Sequence, residues 1–172
     1  MAENSRKAEY YGLETLFREL NQKSEQGIHF HKLMEYIANP RNIKLAYRNI
    51  KRNKGSQTPG TDKMIMKEIS EMGEESFVKK IQEILEDYTP QTVRRVFIPK
   101  KNGKWRPLGI PAIIDRIVQQ CLKQVLEPIL EAKFYPHSYG FRPGRSTHHA
   151  LARAEALIIY AQLHYTVKVD IK

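Results

Sequence analysis

The sequence predicts an α+β protein that is mostly helical and carries one small antiparallel hairpin. Three observations predict it. Apolar residues recur at helical spacing through the first ninety positions and again beyond residue 112. Between those stretches the period drops towards two on either side of Lys101-Asn102-Gly103, and Asn-Gly between strand-like runs is the strongest short-range hairpin signal. With 172 residues, 41% hydrophobic and 28% charged, the chain is long enough to bury a core and is not disordered by composition.

Each element has its own local reason. Leu13, Leu16, Phe17 and Leu20 make the first helical stripe, and Leu33, Met34 and Ile37 the second. Asn39 is placed to cap a third helix with Pro40 at its first position. Ile43, Tyr47 and Ile50 form the apolar stripe of that helix, and its basic residues fall largely on the other faces. Residues 53–60 are a loop by composition. Helices are expected at about residues 63–72 and 74–87, the second turning Phe77, Ile81, Ile84 and Leu85 towards a core. The hairpin follows, over residues 93–99 and 104–108, with Pro99 and Pro107 confining its strands to sheet edges or strand ends. A long helix at about 113–132 carries Ile117, Cys121, Leu122, Val125, Leu126 and Ile129, and Pro128 is expected to kink or end it. Residues 134–145 are an aromatic loop containing Gly and Pro. Ser146 caps a helix running to about residue 162, and residues 165–171 read as a strand ending on Asp170.

Composition excludes several classes. No apolar run approaches the roughly 20 residues that cross a bilayer, and the polar start lacks the apolar core of a signal peptide. The single Cys121 rules out an internal disulfide framework and a Cys-rich zinc site, and it suits a reducing interior. A cytoplasmic protein with no membrane partner is the expectation. The formal net charge of +10 favours a polyanionic partner. Its distribution is more telling than its size. Arg41, Lys44, Arg48, Lys51, Arg52 and Lys54 form one acid-free run, and Arg94, Arg95, Lys100, Lys101, Lys104 and Arg106 form another. Between them, residues 62–87 carry eight acids against four lysines. Two such runs suggest a surface for phosphates, where binding releases counterions and weakens with salt.

Three places carry candidate chemistry. The hairpin tip presents Lys100, Lys101 and Lys104, with Arg106 six residues past Lys100, so a hairpin folded over a groove could offer several cations to a triphosphate. Trp105 could stack on a base, but packing beneath the hairpin is the expected role of a lone tryptophan. The run Tyr139-Gly140-Phe141-Arg142-Pro143-Gly144-Arg145-Ser146 places two arginines before a helix N-terminus, where backbone amides attract phosphate. His148 and His149 are adjacent and so do not share a helical face, which argues against a metal pair. Asp170 is either a strand-end carboxylate or one ligand of a Mg²⁺ site whose other carboxylates lie elsewhere.

Taken in order, these signals line up with a known family. The run RRVFIPKKNGKWRPLGIPAIIDRIVQQCLKQVLEPILEAKFYPHSYGFRPGRSTHHAL, beginning at Arg94, closely resembles the fingers and early palm of bacterial group II intron-encoded reverse transcriptases, the intron maturases. Pro59-Gly60-Thr61-Asp62 is similar to their N-terminal P-G-x-D block, and Val169-Asp170-Ile171-Lys172 looks like the start of the first catalytic palm motif. The resemblance covers about residues 45–172. It implies the mostly helical fingers subdomain of a right-hand polymerase with a truncated palm. Residues 1–90 would be a helical N-terminal extension with the first fingers helices, and residues 91–172 the fingers hairpin, helices and first palm strand.

The resemblance also implies roles. Asp170 would be the first catalytic, metal-binding aspartate, with Ile171 beside the incoming deoxynucleotide and Lys100 and Arg106 on its triphosphate. Arg94, Arg95, Lys101, Lys104 and Arg116 would follow the RNA template, and Arg142 and Arg145 would contact template and DNA primer. Arg48, Lys51, Arg52 and Lys54 would hold group II intron RNA, helping it to fold for splicing. The cofactor would be Mg²⁺, in the complete enzyme. No Y/F-A-D-D motif is found here, so the chain is expected to be an N-terminal fragment that binds RNA without polymerising DNA. An incomplete palm leaves a strand edge open, and a homodimer is an open expectation. Two alternatives stay open, the fingers of a non-intron bacterial reverse transcriptase and a stand-alone RNA-binding splicing module.

Overall fold

The computed structural model describes residues 7–169, which separate into two compact units, one ending at Ala132 and the other beginning at Lys133. The first unit holds α1 (Glu14–Glu25), α2 (Leu33–Ile37), α3 (Pro40–Lys51), a 3₁₀ turn (Lys54–Gln57), α4 (Met66–Ser70), α5 (Glu74–Glu86), strands β1 (Arg94–Pro99) and β2 (Trp105–Ile110), and α6 (Ile113–Glu131). The second holds one helix, α7 (Thr147–Ile159). A mostly helical chain with a two-stranded antiparallel sheet is what the periodicities predict.

The core forms around α6. Ile113, Ile117, Val118, Cys121 and Val125 are fully buried there and meet Leu20 of α1, Ile37 of α2, Ile43, Ala46 and Ile50 of α3, and Phe77, Ile81 and Leu85 of α5. α3 begins as expected, with the Asn39 side chain accepting from the Arg41 amide at 2.9 Å and Pro40 in the first turn.

Polar groups set the register between α3 and α6. The Asn42 amide nitrogen, fully buried, donates to the carbonyls of Ile37 (2.9 Å) and Cys121 (3.1 Å). Gln124 Nε2 donates to Asn42 Oδ1 (2.7 Å) and to the Asn42 carbonyl (3.1 Å), while Gln124 Oε1 accepts from Asn49 and Gln120. Asn42 and Gln124 satisfy each other and the facing carbonyls, so these two buried amides cost little in place and much if the helices slip, while Asn49 Oδ1 is buried without a partner among the described residues. Burial also pushes the Cys121 thiol up to about 12, which keeps it protonated and unreactive at neutral pH.

Pro128 does not end α6, which continues to Glu131. Only the last turn lies beyond the proline, and α1 holds it. Asn21 donates to the Pro128 carbonyl at 2.9 Å, and the buried Ser24 hydroxyl donates to the Ile129 carbonyl at 2.8 Å. Those carbonyls have no partner within the helix, so side chains from α1 do the capping. α4 is shorter than expected and starts at Met66. Lys63 takes a left-handed conformation (φ 60°) and Asp62 accepts from the Met64 amide, an Asx turn that delays the helix, while Glu68 accepts from the Ile65 amide. α7 starts from Ser146, which accepts from the His149 amide, and ends at Ile159 rather than near 162.

Two further expectations are corrected. Residues 165–169 form no strand among the described residues, and Tyr165, Val167 and Val169 are more than four-fifths exposed. An alternating sequence becomes a strand only where a neighbouring strand takes its amides and carbonyls. The sheet is therefore β1 and β2 alone, and Asp170 and Ile171, expected at the end of that strand, lie outside the described residues. Trp105 is 64% exposed, not packed beneath the hairpin, because its register opposite Pro99 puts it on the face it shares with the exposed Phe97.

Replacing Asn42 with Ala removes the donor to two buried carbonyls and the side-chain acceptor for Gln124. The expected loss is about 1–3 kcal/mol, seen as a lower urea midpoint with an unchanged m-value. An unchanged midpoint would show that this network does not hold α3 on α6.

Candidate nucleic-acid interface

The first turn of α6 organises the surface around it. Asp115 is buried there and accepts from the Tyr88 hydroxyl and the Gln91 amide, both at 3.1 Å. Burial and the bond to Asp115 both push the Tyr88 phenol above its usual pKa. Those contacts fix the chain just before β1.

Arg116, the next residue, ties down a different loop. Its Nε donates to the Pro111 carbonyl (2.9 Å), Nη1 to Gly55 (2.7 Å) and Nη2 to Thr58 (2.7 Å). The family resemblance implies a place for Arg116 on the template; in the structure three of its donors serve the protein's own backbone. Burial lowers its pKa from the usual arginine value, the nearby Asp62 carboxylate opposes that shift, and Arg94 adds to it.

The Pro59-Gly60-Thr61-Asp62 block now has a physical reading. Gly60 is buried against the start of α6, where a β-carbon would lie 2.6 Å from the Ala112 Cα, so only glycine fits. The Thr61 hydroxyl donates to the Thr92 carbonyl at 2.8 Å, joining this loop to the approach to β1. The block thus carries Lys54 and its neighbours on a loop held at three points.

Above that loop runs the basic face of α3. Lys44, Arg48, Lys51 and Arg52 follow one another at helical spacing on its open side. The Arg48 guanidinium lies 5.0 Å from the centre of the Tyr10 ring and 5.9 Å from that of Tyr11, and the Lys51 ammonium 5.3 Å from that of Tyr47. Lys44 pairs with Glu74 at the start of α5, and the hydrogen bond to that carboxylate raises the lysine pKa. Helical spacing assigns Tyr47 to the core and gives Tyr10 and Tyr11 no role, whereas in the structure all three rings carry cations. Aromatic residues interleaved with cations were the signal available.

The hairpin presents a second cationic group. Phe97 pairs with Pro107, Ile98 with Arg106 and Pro99 with Trp105. Lys100 is two residues past Ile98, so by alternation Lys100 and Arg106 share a face. The tip is a three-residue loop, closed by the Lys100 amide on the Lys104 carbonyl (2.7 Å) and the Gly103 amide on the Lys100 carbonyl (3.0 Å). Gly103 at φ 76° supplies the left-handed residue that this loop needs. Lys100, Lys101, Lys104, Arg95 and Arg106 are all exposed, and no carboxylate occurs in sequence between Asp87 and Asp115. Arg94 is half-buried, and its Nε has no hydrogen-bond partner among the described residues.

In the second unit, Arg142 donates to the carbonyls of Tyr135 (2.7 Å) and Ser138 (2.9 Å) and lies 5.3 Å from the centre of the Phe134 ring. Arg145 is 5.8 Å from that of Tyr139, and Phe141 is fully exposed at φ 56°. Among the described residues no three His, Cys, Asp or Glu side chains gather as metal ligands, His148 and His149 included. No helix there is long and apolar enough to cross a membrane.

Residues 98–172 match the family of reverse transcriptase (RNA-dependent DNA polymerase). Over 131 residues, 74% of this chain, the sequence is 40% identical to Protein YkfC of Escherichia coli (strain K12), covering 34% of that protein. Over 141 residues, 79% of this chain, it is 39% identical to Group II intron-encoded protein LtrA of Lactococcus lactis subsp. cremoris, covering 23% of that protein. A shorter stretch of 38 residues, 22% of this chain and 5% of the relative, is 50% identical to Nuclear intron maturase 1, mitochondrial, of Arabidopsis thaliana. The chain thus spans about a third or a quarter of the length of these two curated relatives.

Arg116→Lys keeps the charge and loses the planar fork that reaches two loop carbonyls at once. Hydrogen exchange at residues 54–60 should accelerate while helical circular dichroism stays constant. Equal exchange in the variant would remove Arg116 as the clamp of that loop.

Proposed function

The chain is a relative of the group II intron-encoded reverse transcriptases and maturases, and from that premise we propose that it supplies their fingers and the beginning of their palm, binding RNA. The observation that carries this reading is the folding of both acid-free runs onto open surfaces, one along α3 and one along the hairpin. Three acids of the stretch between them do local work. Asp62 caps a turn, Glu68 closes the start of α4, and Glu74 pairs with Lys44.

In the proposed complex, Arg48, Lys51, Arg52 and Lys54 hold the phosphates of intron RNA and assist its folding for splicing. Lys100 and Arg106, sharing one hairpin face, hold the triphosphate of the incoming deoxynucleotide, a point charge beside a planar fork. Arg94, Arg95, Lys101 and Lys104 follow the RNA template, Arg116 positions the loop beside it, and Arg142 and Arg145 meet the template and DNA primer. In the complete enzyme, bound Mg²⁺ would supply Lewis-acid chemistry, lowering the pKa of the primer hydroxyl and stabilising the pyrophosphate leaving group. Asp170 would be one of its ligands. The described residues furnish no further donor set, so their proposed part is binding and orientation.

Binding of the chain to RNA, measured across salt concentrations, tests the electrostatic part. Arg48→Ala and Lys51→Ala should each lower the slope of log K against log salt by about 0.7 on single-stranded RNA. Lys79→Ala, at an exposed position on α5 beside Glu83, should leave it unchanged. Unchanged slopes in the α3 variants would overturn that surface. In the complete protein, Lys100→Ala with Arg106→Ala should abolish DNA synthesis and retain splicing; intact synthesis would refute the nucleotide assignment.

A further inference from the structure

Between α3, α4 and the start of α5 lies a cleft of about 420 Å³, within the roughly 300–1,000 Å³ range of small-ligand pockets. It differs in kind from a solvated basic face. Its walls include three aromatic rings, Tyr11, Tyr47 and Phe77, and its floor includes the buried Ile69. Tyr47 and Phe77 are tilted against each other, 5.1 Å between centroids, so part of each ring is already fixed by the core. Among the described residues its rim carries four cations, Lys44, Arg48, Lys51 and Arg52, and one carboxylate, Glu74. Glu74 is paired with Lys44, so the negative charge nearest an incoming anion is already neutralised.

We propose that this cleft takes one unpaired nucleotide of an RNA strand, its base against Tyr47 and its phosphate between Arg48 and Lys51. This rests on the reading of the α3 face as an RNA-binding surface and names what that surface recognises. The chemistry discriminates among occupants. An acidic peptide would satisfy the cations and leave the ring faces unused, and an apolar side chain would do the reverse. A nucleotide has a flat π-face and an anion on one short frame, and the cleft offers partners for both.

The present contacts show how the exchange would proceed. Lys51 rests over the Tyr47 ring and Arg48 over Tyr10 and Tyr11, each cation occupying an aromatic face. A base entering the cleft takes the place of the Lys51 ammonium on Tyr47, and the displaced ammonium turns to the phosphate. No contact of the core has to break, because Phe77 and Ile69 stay buried behind the ring.

The test uses the whole chain and a single-stranded RNA decamer in which uridines are replaced by 5-iodouridine, which crosslinks to stacked aromatic rings under ultraviolet light. Adducts mapped by mass spectrometry are expected on Tyr47 or Tyr11. Retained RNA binding with adducts confined to Phe97, Trp105 or residues 134–141 would overturn the cleft and leave the broader RNA-binding reading intact. Absence of RNA binding would overturn both. In a second measurement, the decamer should bind about five- to 150-fold more tightly than an abasic strand of equal length. In Tyr47→Leu that preference should shrink while the salt slope holds, since the charges remain. A preference unchanged in a folded Tyr47→Leu protein would overturn the stacking role.

Discussion

Two neighbouring ionic residues in the first turn of α6 have to be satisfied away from bulk water, and much of the surrounding surface follows from how that is done. Asp115 is buried and Arg116 half-buried, and both are held mainly by hydrogen bonds to uncharged groups. Removing such groups from water costs several kcal/mol unless hydrogen bonds replace the lost hydration. The replacements come mainly from loops, Tyr88 and Gln91 for the carboxylate and the carbonyls of Gly55 and Thr58 for the guanidinium. The approach to the hairpin and the basic loop after α3 are therefore both fastened to one helical turn.

That fastening explains how a small helical core can present cations at defined places. Loops are ordinarily the mobile part of a fold, and a phosphate-binding surface on them would lose affinity to the entropy of ordering. Here Gly60 seats against the Ala112 backbone, Thr61 reaches Thr92, and Arg116 closes the loop from the other side. α3, which carries the other cations, is registered on α6 by the Asn42 and Gln124 amides. A basic helix and a basic loop are thus held by the same long helix, one through buried amides and the other through a guanidinium fork.

The kinship with intron-encoded reverse transcriptases gives these features a purpose. On the proposed reading, sequence-independent attraction to phosphate would bring RNA to the surface, and aromatic rings among the cations would give it something other than charge to recognise. α3 shows both at once, with Arg48 lying over Tyr10 and Tyr11 and Lys51 over Tyr47. The hairpin does so on opposite faces, with Lys100 and Arg106 on one and Phe97 and Trp105 on the other.

Local structure was largely legible in the sequence. The Asn39-Pro40 helix start, the apolar stripes of α1, α3, α5 and α6, and the Asn102-Gly103 hairpin depend on residues within a turn or two of each other, so spacing and capping chemistry determine them. The runs of positive charge and the family resemblance were legible for the same reason, being linear patterns. Tertiary structure decided the rest. Arg116 reads as one more basic residue until Gly55 and Thr58, about sixty positions away, are brought within reach of its fork. Trp105 reads as core until the register places it on an open face, and residues 165–169 read as a strand where no partner strand lies beside them. A side chain's type sets which contacts it can make, but its burial and partners are properties of segments distant in the chain, and only folding brings those segments together.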